Sequence, residues 1–402
     1  MYKLIIGVLR KNIRFLILAF CLVSSSLATV PQGQLWYGLG LLVGLYMVLK
    51  KEKNFSTNGF FFFLCCCFLS TFIAGRWDYR LFTFSFVFFF ITPILSSYKA
   101  FVFRFKYLKY CLFIFPVLSL LSLYCYYAGI NMMSIESGDV SWDFSAMFWH
   151  SMWLGAACGI SNVVLTWTVF EAERKKVKIV LVGWLFTSIF ISVVAASRSA
   201  LFASLIAMSV IVYLKLENVR QLFVYGFFIA IVVMCVFPFY KSKSIRMQAK
   251  MENQEKNGQN SRAYVWSLRV LDFQESPIVG VGFASSHVSP TRIVVGRFES
   301  GSGWLSVPSQ TGILGSLVLL SLLLTCYKRI RFFLRKDADL LLLASTFTFL
   351  SIHSIFEGYI LTAGYYLCIL FWGILGIFYE YPKYIRRNFI SCLLYTSDAA
   401  DE

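Results

Sequence analysis

An all-α, polytopic membrane protein of about twelve transmembrane helices is the fold class that this 402-residue sequence predicts, on three observations. Hydrophobic residues make up 58% of the chain and charged residues 14%, with a mean hydropathy of +0.71. Ordinary soluble domains are about a quarter charged. Apolar runs long enough for a hydrocarbon layer of about 30 Å recur from one end to the other, so a single removable leader does not account for them. The runs are continuous rather than alternating, and backbone groups in lipid must be satisfied within their own segment, so the spans are helices.

In chain order, the apolar runs place spans at 15–30, 35–49, 59–75, 81–98, 110–128, 145–169, 179–195, 199–214, 221–240, 304–327, 340–356 and 359–379. The second and eighth are short. The spans divide the chain into 1–240 with nine helices, a large outer loop at 241–303, and 304–390 with three helices and an inner end. The last stretch, 391–402, turns abruptly from "KYIRRNFIS" to the acidic "CLLYTSDAADE". It reads as appended sequence and carries no functional argument.

Orientation follows from Lys and Arg in the short loops. With the N-terminus inside, the inner segments hold 25 of the 37 basic residues and the short outer loops only Arg76, Arg80 and Arg198. The net charge of +17 is therefore topological, with some attraction to anionic inner-leaflet lipid, and calls for no nucleic acid. The cysteines, including the run Cys65, Cys66 and Cys67, sit almost entirely in apolar spans where a thiol acts as a small hydrophobe. Neither metal-ligand spacing nor a disulfide framework is legible, and no cofactor is expected.

The outer loop holds nine basic residues, among them Arg262, Arg269, Arg292 and Arg297, against five acidic ones including Asp272, Glu275 and Glu299. A loop that only joins two helices is usually short. Basic charge interleaved with Tyr264, Trp266, Phe273 and Phe283 at a membrane face suits a ligand that is anionic at one end and sugar or lipid at the other. Arginine's planar fork grips phosphate oxygens two at a time. The remaining ionisable groups at span ends lie on the same side: Arg198 in "AASRSALF", Arg76 and Arg80 in "GRWDYRLF", His150, and His353 with Glu357 in "SIHSIFEGYI". Such groups are costly at that depth and are functional candidates by default.

Four stretches in this order, "SRSALFASLIAM" (197–208), "SRAYVWSLRVLDFQESPIVGVGF" (261–283), "SGWLSVPSQTGILGSLVLL" (302–320) and "HSIFEGYILTAGYYLCILFWGILG" (353–376), resemble the O-antigen ligase/polymerase superfamily of bacterial envelope glycosyltransferases. The resemblance covers the second half of the chain. It implies a GT-C-like enzyme of the bacterial inner membrane, N-in and C-in, working at the periplasmic face without a metal. Its donor would be a glycan on a polyprenyl diphosphate, and its acceptor a hydroxyl on another carrier-linked repeat unit (polymerase) or on lipid A core (ligase). The family's phosphate-binding arginines map to Arg198 and Arg262. The ligases' histidine before the tenth span is missing from "FESGSGWLSV", which tilts the reading towards a polymerase of O-antigen or exopolysaccharide.

Diphosphate departure develops negative charge, and fixed cations aimed at it stabilise the transition state. The acceptor hydroxyl loses a proton, for which Glu299, His287, Glu357 and His353 are the candidates. Arg76, Arg80, Tyr264, Trp266, Arg269, His287 and His353 are candidate substrate contacts. Each has a plain structural reading beside the functional one: Arg198 snorkelling at a turn, Arg262 as a solvated loop residue, Arg76 and Arg80 as anchors beside Asp78, and His353 packed at an interface. Gly280 and Gly282 follow no strand and open no phosphate-binding helix, so "GVGF" reads as a tight turn rather than a nucleotide fingerprint. A flippase for lipid-linked oligosaccharide would share the topology. It would also be expected to show internal repeats and mid-bilayer polar groups, whereas the ionisable residues here sit at the rim.

Overall fold

The computed structural model describes residues 2–50, 55–137, 143–216, 261–296 and 298–398. The helices are α1 (Tyr2–Ser24), α2 (Gly33–Leu49), α3 (Gly59–Ala74), α4 (Tyr79–Ile91), α5 (Tyr98–Tyr127), α6 (Met132–Ser137), α7 (Ser151–Glu171), α8 (Lys175–Val194) and α9 (Arg198–Lys215). After residue 260 come α10 (Ser261–Glu275), the antiparallel pair β1 (Ser285–Ser289) and β2 (Arg292–Val295), α11 (Gly303–Ile330), α12 (Ala338–His353) and α13 (Tyr366–Asp398). The expected ninth span at 221–240 lies outside the described residues. So do the loop charges from Lys241 to Lys256, and Arg297.

The protein is an integral membrane protein built from apolar helices. Five of them, α5, α7, α8, α9 and α11, are long and apolar enough to cross a membrane, and five shorter apolar segments accompany them. Polar side chains set where the helices start. Asn58, Asp78, Ser97, Ser302 and Asp337 each accept from a backbone N–H of the first turn, of α3, α4, α5, α11 and α12 respectively. His150 Nδ1 does the same for Met152 at the head of α7, at 3.1 Å. That cap trims the predicted 145–169 span to a start at Ser151.

α7 is the centre of one half of the bundle, buried on nearly all sides by α5, α8, α9 and α12. Small residues permit this closeness: Gly155 sits against Ser197, and Gly159 against Phe349 and the Ala200 carbonyl. α13 is the axis of the other half. Its fully buried Trp372 meets Phe63, Phe84 and Phe88 of α3 and α4 with ring centroids 4.9, 6.2 and 4.7 Å away. The Phe-rich runs thus divide by helical periodicity, with Phe60, Phe63, Phe84 and Phe88 inward and Phe62, Phe72, Phe82 and Phe86 outward.

Two expectations need correction. Residues 99–109 are not an inner loop: α5 begins at Tyr98, and Arg104 is buried inside it. Its Nε donates to the Phe90 carbonyl at 2.9 Å, its Nη2 to Leu95 at 2.6 Å, and its Nη1 pairs with Glu380 at 3.3 Å, so it ties off the end of α4. Nor is the tenth span a continuous helix. α11 breaks at Gly312, at φ 63° and ψ −164°, a conformation nearly restricted to glycine.

The segment 276–284 enters the bundle and takes up the backbone groups that this break releases. Val281 N donates to Ser309 O (3.0 Å), Ile313 N to Pro277 O (2.8 Å), Leu314 N to Ile278 O (3.3 Å) and Ala284 N to Gln310 Oε1 (2.8 Å). Helix α3 completes the set: Ser70 Oγ donates to Gln310 O and accepts from Gly282 N, and Thr71 Oγ1 accepts from Phe283 N. Irregular backbone survives at membrane depth only where protein satisfies it in this way. Gly280 and Gly312 are required where the two chains cross. A Cβ on Gly280 would lie 2.4 Å from the Gln310 carbonyl carbon, and one on Gly312 2.2 Å from the Ile278 oxygen. "SPIVGVGF" is therefore a segment that re-enters the helix bundle rather than only a turn, and Phe283 is buried against Phe84.

Candidate active site

Two charged clusters lie at the helix ends on one face of the bundle, both built from the stretch after residue 260. The first surrounds Asp272, which is fully buried on α10. Its Oδ1 accepts from His287 N at 2.8 Å and meets His287 Nδ1 at 2.7 Å. Its Oδ2 accepts from Ser309 Oγ at 2.7 Å and from Ser286 Oγ, with Arg269 Nη1 at 3.4 Å. Arg269 Nη2 donates to the His287 carbonyl at 2.6 Å, and its guanidinium lies over Phe298. Burial pulls the Arg269 guanidinium below its usual range, opposed by the Asp272 charge.

Beyond His287 the chain of charges continues outward. His287 Nε2 lies 3.4 Å from Glu275, Glu275 lies 3.6 Å from Arg76, and Arg76 Nη1 donates to Val281 O at 3.1 Å. Arg80 pairs with Asp78 at 3.3 Å, close against Gly296 at the end of β2. These groups pin α10, the β-pair and the re-entrant segment onto the α3–α4 turn. Four expected substrate contacts, Arg269, His287, Arg76 and Arg80, are thus placed in this clamp.

The second cluster forms where α10, the start of α11 and the α12–α13 turn meet. Gly303 N donates to the carbonyls of Ser354 (2.8 Å) and Glu357 (3.0 Å), and Gly358 packs on Ser300. Trp266 Nε1 donates to Gly301 O at 3.1 Å, holding α10 over the same corner, while Tyr264 stays exposed. Across this corner Arg262 Nη2 reaches Glu357 Oε1 at 3.1 Å, with the guanidinium over the Phe356 ring. The Arg262 side chain is 35% exposed and that of Glu357 17%, so the pair is half open.

Burial pushes the Glu357 carboxyl up to about 7, against the lowering charge of Arg262 and with a further raising contribution from the exposed Glu299. One turn before it, His353 is 1% exposed and stacked between Phe349 and Tyr359. Neither of its ring nitrogens has a hydrogen-bond partner among the described residues.

Arg198 is exposed at the first position of α9, after a turn that holds Ala196 at φ 53°. It sits at the same end of the bundle. Ser197 packs on Gly155, Tyr366 Oη donates to Trp153 O at 3.3 Å, and Phe349 links α7 to His353. The structure thus brings Arg262, Glu357, Glu299 and His353 to one corner, with Arg198 joined to it through α7 and α12. Sequence reasoning missed Asp272, Gly312 and Ser309. The one available signal was the Arg269–Asp272 spacing of three on a short helix, which places both on one face.

Such a corner can hold an anion beside a carboxylate of near-neutral proton affinity. Residues 183–320, about a third of the chain, match the family model described as O-antigen ligase. The match takes in Arg198, Arg262, Asp272 and the break of α11 at Gly312, and stops short of His353 and Glu357. It bears out the resemblance read from the sequence. No curated protein matches the chain.

Proposed function

We propose, from the premise that residues 183–320 carry the O-antigen ligase family domain, that this protein is a surface-polysaccharide polymerase. It moves a glycan from a polyprenyl diphosphate carrier to a hydroxyl of another carrier-linked repeat unit at the periplasmic face. The observation that carries this reading is the half-open Arg262–Glu357 pair at the meeting point of α10, α11 and the α12–α13 turn. Its arginine lies inside the matched region and its carboxyl is pushed up to about 7.

Arg262 takes the donor diphosphate, and Arg198 supports it from the head of α9. Charge developing on the departing diphosphate is met by cations already in place, a contribution commonly worth about 10²–10³ in rate per donor. Engagement of Arg262 by diphosphate frees Glu357 to accept the acceptor hydroxyl's proton, with Glu299 beside it. A base poised near the working pH combines adequate strength with adequate population. Tyr264 and Trp266 offer aromatic surface on the α10 side, where sugar packs well.

One observation favours transfer to lipid A core instead. "FESGSGWLSV" lacks the ligases' histidine in sequence, yet the α12–α13 turn brings His353 to the start of α11 in space, through the Gly303 bonds to Ser354 and Glu357. The lipopolysaccharide ladder of a deletion strain separates the two. A single repeat on core is the expected outcome, and restoration of the ladder by wild type but not by Arg262→Ala supports the site. Long chains left unlinked on the carrier would assign the ligase reaction instead.

A further inference from the structure

The opposite end of α11 carries a second polar site, unconnected with Arg262. At about 1.5 Å per residue, Lys328 lies roughly 24 Å beyond the break at Gly312. There Lys328, Arg329, Phe332 and Phe333 face Pro382 and Lys383 of α13 across a cavity of about 550 Å³. Three cations line it, and no carboxylate does among the described residues.

The nearest acidic groups are already engaged. Glu380 is held by Arg104 and Ser96 and is also within electrostatic reach of Lys383, Asp337 accepts from Tyr381 and the Leu340 amide, and Asp339 pairs with Lys109. Arg329 is fixed in position: its Nη1 donates to the Tyr379 carbonyl at 2.5 Å and its guanidinium lies 4.0 Å from the centroid of that ring. Lys383 Nζ sits 3.4 Å from Ser96 Oγ. Phe332, at the rim, is 67% exposed.

We propose that this cavity binds the headgroup of an anionic phospholipid, its phosphate held between Lys328, Arg329 and Lys383 and its acyl chains running along Phe332. Like charges converging on one cavity repel one another, and an anion between them removes that cost. The guanidinium supplies a planar fork to phosphate oxygens while the lysines act as mobile point charges. Basic pockets between transmembrane helices at the positively charged end recognise lipid headgroups by this chemistry. The exposed aromatic rim distinguishes a lipid from a free ion, because a free phosphate has no use for it. The distribution of Lys and Arg puts this end of the bundle on the inner side.

The test is lipid retention by the full chain purified in detergent, read by native mass spectrometry with phosphatidylglycerol or phosphatidylcholine added. The cavity variant Lys328→Gln/Arg329→Gln/Lys383→Gln is compared with a control of equal charge loss at the head of α8, Lys175→Gln/Lys176→Gln/Lys178→Gln. Wild type and control are expected to retain phosphatidylglycerol about 10- to 100-fold more tightly than phosphatidylcholine, and the cavity variant to lose that preference. The exposed Lys383→Gln alone gives a partial loss and carries the test if the triple variant does not fold. Unchanged preference in the cavity variants, or an equal loss in the control, overturns the proposal. Displacement of the lipid by millimolar inorganic phosphate overturns it in favour of a free-anion site.

Discussion

The Asp272 cluster and the Arg262–Glu357 corner use the same chemical vocabulary of arginine, carboxylate and histidine, one face of α10 apart, and they differ in saturation. Asp272 is fully buried, and its carboxylate makes four hydrogen bonds, two of them with the backbone and ring of His287, besides its ion pair with Arg269. Glu357 meets Arg262 through one 3.1 Å contact at a partly solvated corner, beside a histidine whose ring nitrogens have no partner among the described residues. A carboxylate whose oxygens are already taken has little left to offer a ligand, although Arg269 beside it keeps Nε and Nη1 without hydrogen bonds among the described residues, and the energy of the cluster goes into holding a shape. A half-open pair can exchange one partner for another, which is what a binding site must do.

The comparison breaks most visibly through Asp272→Ala. That change strands Arg269, two serine hydroxyls and a histidine in the interior, and breaking a buried charged network by removing one member costs about 3–5 kcal/mol. Loss of folded protein in detergent is expected, measured by thermal melting and by membrane level. Ordinary melting with activity lost would move Asp272 to the reactive side of the comparison.

Arg262→Ala is expected to do the reverse: full protein level and an unchanged melt, with polymer formation down by about 10²–10³. Arg198→Lys, which keeps the charge and loses the fork, is expected to impair chain lengthening in the same assay while sparing the fold. Long polymer from both variants would show that the corner is not where the donor binds.

Gly312→Ala tests the scaffold between the two regions. Its backbone lies where non-glycine residues are strained by about 1–3 kcal/mol, and the added methyl meets the Ile278 carbonyl at 2.2 Å. A lowered melting temperature and impaired activity are expected together, because the re-entrant segment carries α10 and both clusters.

The pH profile gives a subtler test. With Glu357 at about 7 and acting as base, the rate rises about tenfold per unit as pH climbs towards 7 and levels above it, since only the carboxylate accepts a proton. Glu357→Gln should remove that acidic limb. A limb that persists in the variant would assign it to another group. The smallest effect is expected for Trp266→Phe, which loses one hydrogen bond to Gly301 and about 1 kcal/mol.

Much of this was legible without coordinates. Apolar runs marked α2, α3, α8, α9 and α12 to within a few residues, because a span in lipid must be a helix whatever its neighbours are. The candidate residues at span ends, Arg198, His353 and Glu357, stood out because charge at that depth is costly, and Arg262 because it lies in the long basic loop within a stretch that resembles the family. A glycine-bearing turn was also readable in "SPIVGVGF".

The sequence by itself determined that this chain is a helical membrane protein with costly charges gathered at span ends, since composition and run length act locally. Only the tertiary structure decided which of those charges are spent. Asp272 to Ser309, Arg262 to Glu357 and Pro277 to Ile313 are pairings across 37, 95 and 36 residues of chain. No periodicity encodes such distances. The same holds for the break in α11. "SQTGILG" reads as helix until the segment that replaces its lost hydrogen bonds is laid beside it, and the physical reason is that a backbone group in lipid is satisfied by whatever packs against it.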